Sequence, residues 1–294
     1  MVGRVARHGI VVGVDGSAPS RMAVQWAARD AVMRKLPLFL VHVIYAAVPV
    51  PAEPSHAQKA VGQKLIDEAR NVIEGLAGEA GPQIESEVSL GQPVSTLVEL
   101  SKQAQMVVVG CQGQSLLDRI LLGSVSSGVV QRAYCPVAVV HNESLSVLEE
   151  ARLPVLLGID GSPASEFATE IAFEEACYRG VELIALHAWC DAGEFAIGST
   201  EWSAHQAGAA ATLAERLAGW QERYPDVIVR RRIVSSHPAR HLLDAAESAQ
   251  LVVVGNRGRG GFALLGSVST AVVQAARVPV IVARPSSQPG SEDQ

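Results

Sequence analysis

Aromatic side chains are scarce in this chain: phenylalanine, tryptophan and tyrosine together make up 4% of its 294 residues. Base-stacking platforms are built from such rings, so their scarcity argues against nucleic acid as the partner. Positive charge is not in excess either. The 24 Lys+Arg are outnumbered by 30 Asp+Glu, for a formal net charge of −6, whereas a phosphate backbone asks for a basic face. Cysteine appears only as Cys111, Cys135, Cys177 and Cys190, with no C-x-x-C or other metal or redox spacing. Isolated thiols of this kind read as reduced, buried small hydrophobes in a cytosol. Long apolar runs are missing as well. The run Ile10–Val14 stops far short of the 18 or so residues that span a membrane. Met1–Gly9, with Arg4, Arg7 and His8, has no signal-peptide form. The expectation is a cytoplasmic protein with no membrane or nucleic-acid partner.

Two phosphate-binding fingerprints are also missing. There is no G-x-x-x-x-G-K-[ST], which excludes a Walker-type NTPase, and no G-x-G-x-x-G after the first apolar run, which excludes the dinucleotide fingerprint.

What the chain does have is a repeat. "IVVGVDGSAPS" from Ile10 returns as "VLLGIDGSPAS" from Val155. Gly13 and Gly158 are 145 residues apart, as are Asp15 and Asp160, His42 and His187, Pro93 and Pro238, and Gly110 and Gly255. One offset held over so long a stretch means a duplicated domain rather than a solenoid, whose period is about 20–50 residues. The offset then drops to 143 for Gly123 and Gly266 and for Pro136 and Pro279, so copy two has lost two residues between Gly258 and Gly266. A hydrophobic share of 48% is ample for two cores. The boundaries read as domain 1 over 1–143, domain 2 over 154–284, and a disordered polar tail over 285–294.

Each copy alternates short apolar runs with helical periodicity. In copy one, strands are expected at Ile10–Val14, Leu38–Val43, Ile84–Val88, Met106–Val109 and Val137–Val140. Helices are expected at Pro19–Arg34, capped by Ser17 or Ser20, and at Gln58–Ala77, Pro93–Ala104 and Ser126–Tyr134. Copy two repeats the series. Continuous apolar strands separated by helices mean parallel sheets covered on both faces. The fold class is therefore α/β: two tandem, doubly wound, parallel five-stranded sheets.

In such sheets ligands bind beyond the carboxyl ends of the strands, where strand order reverses. Asp15 and Asp160 lie at the end of the first strand of each copy, and a glycine loop follows the fourth: "GCQGQSLLDRILLGS" from Gly110 and "GNRGRGGFALLGS" from Gly255. Gly110 and Gly113 leave room for backbone to approach a ligand. Gly123 and Ser124 open the next helix, whose free N–H groups and dipole suit phosphate. Asp15 reads either as a nucleotide contact, direct or through a metal ion, or as the turn-forming residue of an Asp-Gly-Ser turn. His42 and His187, inside apolar strands without an acid partner, read as core histidines bonded to backbone. Trp26, Trp189, Trp202 and Trp220 read as core or inter-copy filling.

The spacing G-x-x-G, nine residues, then G-S resembles the ATP-binding loop of the universal stress protein family. Both copies are similar to that family in their G-x-D-G-S start, their "LVHV" and "ALHA" second strands, their "MVVVG" and "LVVVG" fourth strands, and their "CPVAVV" and "VPVIVA" ends. The chain looks like a tandem member of the actinobacterial kind. The resemblance implies a Rossmann-like fold of the adenine nucleotide α-hydrolase type, with the copies related by a pseudo-twofold. It places Gly13 and Asp15 near ribose and phosphates, Val43 in the adenine pocket, and Gly110, Gly113, Gly123, Ser124 and Val125 on phosphates and ribose. Gln112, Gln114 and Ser115 fall within the same loop. The copy-two counterparts are Gly158, Asp160, Ala188, Gly255, Gly258, Gly266, Ser267 and Val268, with Gly261 in the loop and Arg257 and Arg259 adding positive charge. Copy two departs from the pattern, with seven residues rather than nine between Gly258 and Gly266.

The resemblance implies ATP as ligand, with Mg2+ as its companion ion, and self-association of the two copies through their last strands, Val137–Val140 and Val280–Ala283; whether two chains pair further as a homodimer stays open at this point. It leads to an ATP-binding regulator of the stress response with a protein partner the sequence does not name. The chain offers no evident base and no lysine in either glycine loop, so it is expected not to be a turnover enzyme. The alternative is a slow ATPase or nucleotidyl-transfer enzyme of a related α/β group. The ATP pyrophosphatases carry S-G-G-x-D-S after the first strand, and this chain has "VDGSAPS". A third reading is an interaction module that has lost its nucleotide.

Overall fold

The computed structural model describes residues 8–45, 54–77, 81–111, 122–141, 152–189, 199–258 and 264–285, with backbone alone at 77, 189 and 199–207. It divides into two compact units, the first built on residues up to Asn142 and the second on Glu143–Ala283.

The first unit runs β1 (Ile10–Gly13), α1 (Ala18–Arg34), β2 (Leu38–Tyr45), α2 (His56–Ala77), β3 (Ile84–Gly91), α3 (Pro93–Ser101), β4 (Met106–Gly110), α4 (Ser124–Arg132) and β5 (Val137–Val140). Its strands lie in the order β3-β2-β1-β4-β5, every pairing parallel. The second unit repeats this with β6 (Val155–Gly158), α5 (Pro163–Arg179), β7 (Leu183–Trp189), α6 (Ser199–Arg223), β8 (Val229–Ser235), α7 (Pro238–Ala246), β9 (Leu251–Gly255), α8 (Ser267–Ala275) and β10 (Val280–Ala283). Its order is β8-β7-β6-β9-β10, again all parallel. The sequence reading of doubly wound parallel sheets is therefore correct for both copies.

Successive residues of a strand point to opposite faces. Val11 and Val12, Val107 and Val108, and Leu156 and Leu157 are all fully buried, so both faces of each sheet are covered. Small side chains on α1 (Ala23, Ala27, Ala28 and Ala31) are buried in the same core and let the helix lie close to β4. The strand at one end of each order carries charge instead: Glu85 and Glu87 on β3, and Arg230, Arg231 and Arg232 on β8, all exposed. Charge of this kind discourages stray strand pairing.

Helix starts follow local chemistry. Ser17 caps α1 by accepting from the Ser20 amide at 3.2 Å, and Ser162 caps α5 by accepting from Ser165 at 3.3 Å. The choice between Ser17 and Ser20 thus falls on Ser17. A reciprocal pair opens α2: the Gln58 amide donates to Ser55 Oγ at 3.2 Å, and the Ser55 amide to Gln58 Oε1 at 3.0 Å. The helices α1 and α5 share an interior ion pair at the same repeat position, Asp30 with Arg34 at 2.9 Å and Glu175 with Arg179 at 2.7 Å.

Strand order reverses on either side of β1. The next strand in the chain, β2, lies on one flank and β4 on the other, so a crevice opens between the loops leaving β1 and β4. The candidate residues lie there.

Candidate functional site

In the first unit β1 ends in Gly13, and Asp15-Gly16-Ser17 turns the chain into α1. Gly16 has φ +80°, a left-handed value that glycine adopts freely. The Ser17 amide donates to Asp15 Oδ1 at 2.9 Å. The buried Ser20 hydroxyl accepts from the Asp15 amide at 3.1 Å and donates to the Gly13 carbonyl at 3.2 Å. The turn-forming role of Asp15 is thus real, and it coexists with a place at the site: Asp15 lines the cavity described next.

That cavity has a volume of about 250 Å³, near the lower end for small-molecule sites. Gly13, Asp15, Ser17 and Ser20 line it from the first turn, Val41 and Val43 from β2, and Gly110, Gly123, Ser124 and Val125 from the β4–α4 connection. Seven residues expected at the site (Gly13, Asp15, Val43, Gly110, Gly123, Ser124 and Val125) therefore meet at one place. Helix α4 starts at Ser124, two residues earlier than its periodicity suggests, with Gly123 as an N-cap that offers no side chain. The first helical bond runs from the Ser127 amide to the Gly123 carbonyl at 2.8 Å. The amides of Ser124, Val125 and Ser126 thus have no helical acceptor, and these three residues border the cavity.

Gly110 is needed for a reason other than the expected one. A Cβ there would lie 2.5 Å from the carbonyl carbon of Pro19, so it is the start of α1, not a ligand, that comes so close. Gly255 repeats the arrangement, with Ala164 backbone 2.9 Å from a Cβ.

In the second unit Gly161 has φ +78° and the Ser162 amide donates to Asp160 Oδ1 at 2.9 Å. Here the described part of the glycine loop is tied to the turn. The Ser162 hydroxyl donates to the Arg257 carbonyl at 3.3 Å, and a Cβ at Gly258 would lie 2.9 Å from Asp160 Oδ2. Gly266 caps α8 and donates its amide to the Asn256 carbonyl at 2.8 Å. Ser267 and Val268 begin α8, and Gly158 and Ala188 sit at the ends of β6 and β7. Arg257 is exposed. Gln112, Gly113, Gln114, Ser115, Arg259 and Gly261 lie outside the described residues, as do the tail beyond 285, Cys190 and the side chains of Trp189 and Trp202.

His42 and His187 are half-buried rather than in the core, and each bonds to backbone as expected. Nδ1 of His42 lies 2.7 Å from the Val14 carbonyl, and Nδ1 of His187 lies 2.8 Å from the Ile159 carbonyl. A carbonyl can only accept, so that nitrogen carries the proton. Two thiols are held towards their protonated form. Burial pushes the half-buried Cys111 up, and pushes the buried Cys135 up to about 12. Cys177 corrects the expectation that all are buried: it is exposed, on the last turn of α5. Trp220 packs on Phe173 with ring centroids 6.2 Å apart, inside the second unit.

Comparison with known proteins settles the family. The universal stress protein family matches residues 7–141 and again 152–284. The chain belongs to the universal stress protein family. A universal stress protein of Mycobacterium tuberculosis is 51% identical over 289 residues, covering 95% of this chain and 98% of the relative. The crystal structure of a universal stress protein from Archaeoglobus fulgidus matches at a TM-score of 0.70 and 22% identity, covering 94% of this chain and 98% of that one. A further universal stress protein, crystallised in complex with cAMP, is 30% identical over about half of this chain (47%) and 99% of its own, with a TM-score of 0.37.

In this universal stress protein further residues act at the site beyond those expected. Ser126 and Ser269 donate their hydroxyls to the carbonyls of Gly110 and Gly255 at 2.7 and 2.6 Å, pinning each helix start to the strand before it. The spelling G-S-V-S in both copies is a signal that could have pointed to them. Ser17 and Ser20, from the turn after β1, and Leu97, from α3, also line the cavity of the first unit. Among the described residues no group of three His, Cys, Asp or Glu could hold a metal ion, and no helix is long and apolar enough to cross a membrane.

Proposed function

We propose that this universal stress protein binds ATP and acts as a nucleotide-dependent regulator of the stress response rather than a turnover enzyme. One observation carries the reading. The first unit gathers the uncapped amides of α4, the hydroxyls of Ser17 and Ser124, and the Asp15 carboxylate around a cavity at the strand-order switch, with apolar Val41 and Val43 on one wall. Amides at a helix start and hydroxyls donate to phosphate oxygens. The valines offer a base an apolar surface. Asp15 is the one carboxylate in the described lining; it fits a ribose hydroxyl or a Mg2+ ion whose other ligands are phosphate oxygens and water. The donors therefore fit a triphosphate.

The same lining supports binding over turnover. Phosphoryl transfer needs a positioned base and charge stabilisation as well as a cradle, and among the described residues the cavity lining holds neither lysine, arginine nor histidine. A bound nucleotide stabilises the fold by mass action, about 2.7 kcal/mol at a hundred times the dissociation constant. It signals by favouring one state of the protein over another, since equal affinity for two states shifts nothing.

The test is phosphate release from excess ATP, alongside mass spectrometry of nucleotide freed by denaturing the purified protein. The expected result is intact ATP, cleaved more slowly than about one turnover per second. Sustained release above that rate, lost in Asp15→Ala, identifies the enzyme instead. Purified protein that yields no nucleotide on denaturation and, while folded, takes up neither ATP nor cAMP in titration points to a module without a ligand.

A further inference from the structure

The two Asp-Gly-Ser turns are held by arginines from different helices. In the first unit Arg21, on α1, donates Nη1 to the Gly16 carbonyl at 2.6 Å. The repeat places Glu166 at the equivalent position of α5, and a carboxylate has no proton to give a carbonyl. There Arg216, from α6, takes over. Its Nη1 lies 3.1 Å from the Gly161 carbonyl and 3.0 Å from Glu166 Oε1.

The place that Arg216 occupies is filled in the first unit by Leu65 of α2. A Cβ on Gly16 would lie 2.6 Å from Leu65 Cδ2, and a Cβ on Gly161 would lie 2.7 Å from Arg216 Cζ. Between the copies two positions have therefore changed together: Arg with Leu in one, Glu with Arg in the other. What stays the same is one guanidinium on one turn carbonyl.

That carbonyl belongs to the peptide whose N–H holds the carboxylate. Gly16 supplies the C=O and Ser17 the N–H, which donates to Asp15 Oδ1 at 2.9 Å. Gly161 and Ser162 do the same for Asp160, also at 2.9 Å. A cation on the oxygen of a peptide polarises it and makes its N–H a stronger donor. We infer that Arg21 and Arg216 are positioning residues: each acts through the turn peptide to fix the carboxylate of Asp15 or Asp160 at its site. The consequence for ligand rests on the nucleotide reading above; the effect on the turn does not. In the second unit the same contact ties the turn to α6, whereas in the first it stays within the opening turns of α1.

The experiment uses the full chain as wild type, Arg21→Leu, Arg21→Glu and the double exchange Arg21→Glu with Leu65→Arg, which rebuilds the second unit's arrangement in the first. Hydrogen exchange of the Ser17 amide, followed by NMR without nucleotide, reports the turn; an ATP titration reports its consequence. Both single variants are expected to speed Ser17 exchange and weaken ATP at the first site by roughly three- to tenfold. The double exchange is expected to restore both to within about twofold of wild type. A guanidinium that merely contributes to stability would lower the melting temperature without changing Ser17 in particular, and charge relocation would not restore it. Unchanged Ser17 exchange in Arg21→Leu, or a double exchange no better than Arg21→Glu, overturns the proposal. If Ser17 exchange follows the expected pattern while wild type takes up no ATP, the positioning role holds and the nucleotide reading falls.

Discussion

The carboxylates of Asp15 and Asp160 each accept one amide, from Ser17 and Ser162, and so shape the turn that brings them to the strand ends. A turn-forming aspartate and a ligand-facing aspartate are often treated as rival readings; here the turn bond is what places the carboxylate. The histidines are simpler, since each spends Nδ1 on a backbone carbonyl. Cys135 gives a consequence that pH reveals. Its folded thiol is raised from 9.0 to about 12, chiefly by burial. A raised thiol keeps its proton in the folded state while the unfolded chain loses it. The contribution to stability is therefore fully present below the unfolded value and declines as pH rises from about 9 to about 12, by about 1.4 kcal/mol per pH unit. The stability advantage of wild type over Cys135→Ala is expected to shrink by about 1 kcal/mol between about pH 8.5 and about pH 10, measured by urea unfolding. Parallel curves across that range would contradict the assignment.

Helix ends carry the next level of information. Both α1 and α5 finish with a residue in the left-handed region, Lys35 at φ 55° and Gly180 at φ 63°. The closing bonds match: the Leu36 amide donates to the Ala31 carbonyl at 2.9 Å, and the Val181 amide to the Ala176 carbonyl at 3.1 Å. Lysine is strained in that conformation and glycine is not. Lys35→Gly is expected to stabilise the chain by roughly 0.5–1 kcal/mol, the relief outweighing the added freedom of the unfolded state. A denaturant midpoint that stays put or falls would refute this.

At this scale much was legible in the sequence, because apolar runs such as Val107–Val109 and the Ala-rich face of α1 record burial directly. The duplication made the reading stronger, since each element had to appear twice. The boundaries were less legible. Strand β2 extends to Tyr45 because its backbone stays paired with β3 as far as Gly91, a tertiary effect that side-chain pattern does not carry. Helix α4 starts at Ser124 rather than Ser126 because the helix begins at the Gly123 cap, and polar residues in a first turn hide that start from a reading based on apolar spacing. Gly110 was visible as a constraint, but its cause, the backbone of Pro19, lies ninety residues away in the chain. Arg21 and Leu65 could not be linked to Arg216 and Glu166 without seeing both turns in space.

For the molecule as a whole, duplication has produced two sites that share a plan and differ in detail. The second unit's loop is two residues shorter, and its described part is bonded to the Asp160 turn through Ser162 and Arg257. On the nucleotide reading proposed above, phosphates would meet there a turn already bonded to the chain's own backbone, with the exposed Arg257 as the described cation of the loop. The first unit has its donors around a cavity. The second site is therefore expected to bind ATP more weakly and to lose affinity more steeply as salt is raised, because an exposed guanidinium is screened.

Calorimetric titration of ATP into wild type and Gly123→Val, at low and at high salt, tests the central claim most directly. Gly123 borders the cavity at φ −54°, a value valine can also adopt, so the substitution adds a side chain at the cavity border without forcing the backbone into strain. The account predicts two unequal sites in wild type, with the tighter one weakened at least tenfold, about 1.4 kcal/mol, in Gly123→Val, while the weaker one keeps its affinity and its steeper salt dependence. A wild type that releases no heat with ATP, or a Gly123→Val isotherm that overlays the wild-type curve at both salt concentrations, would contradict it.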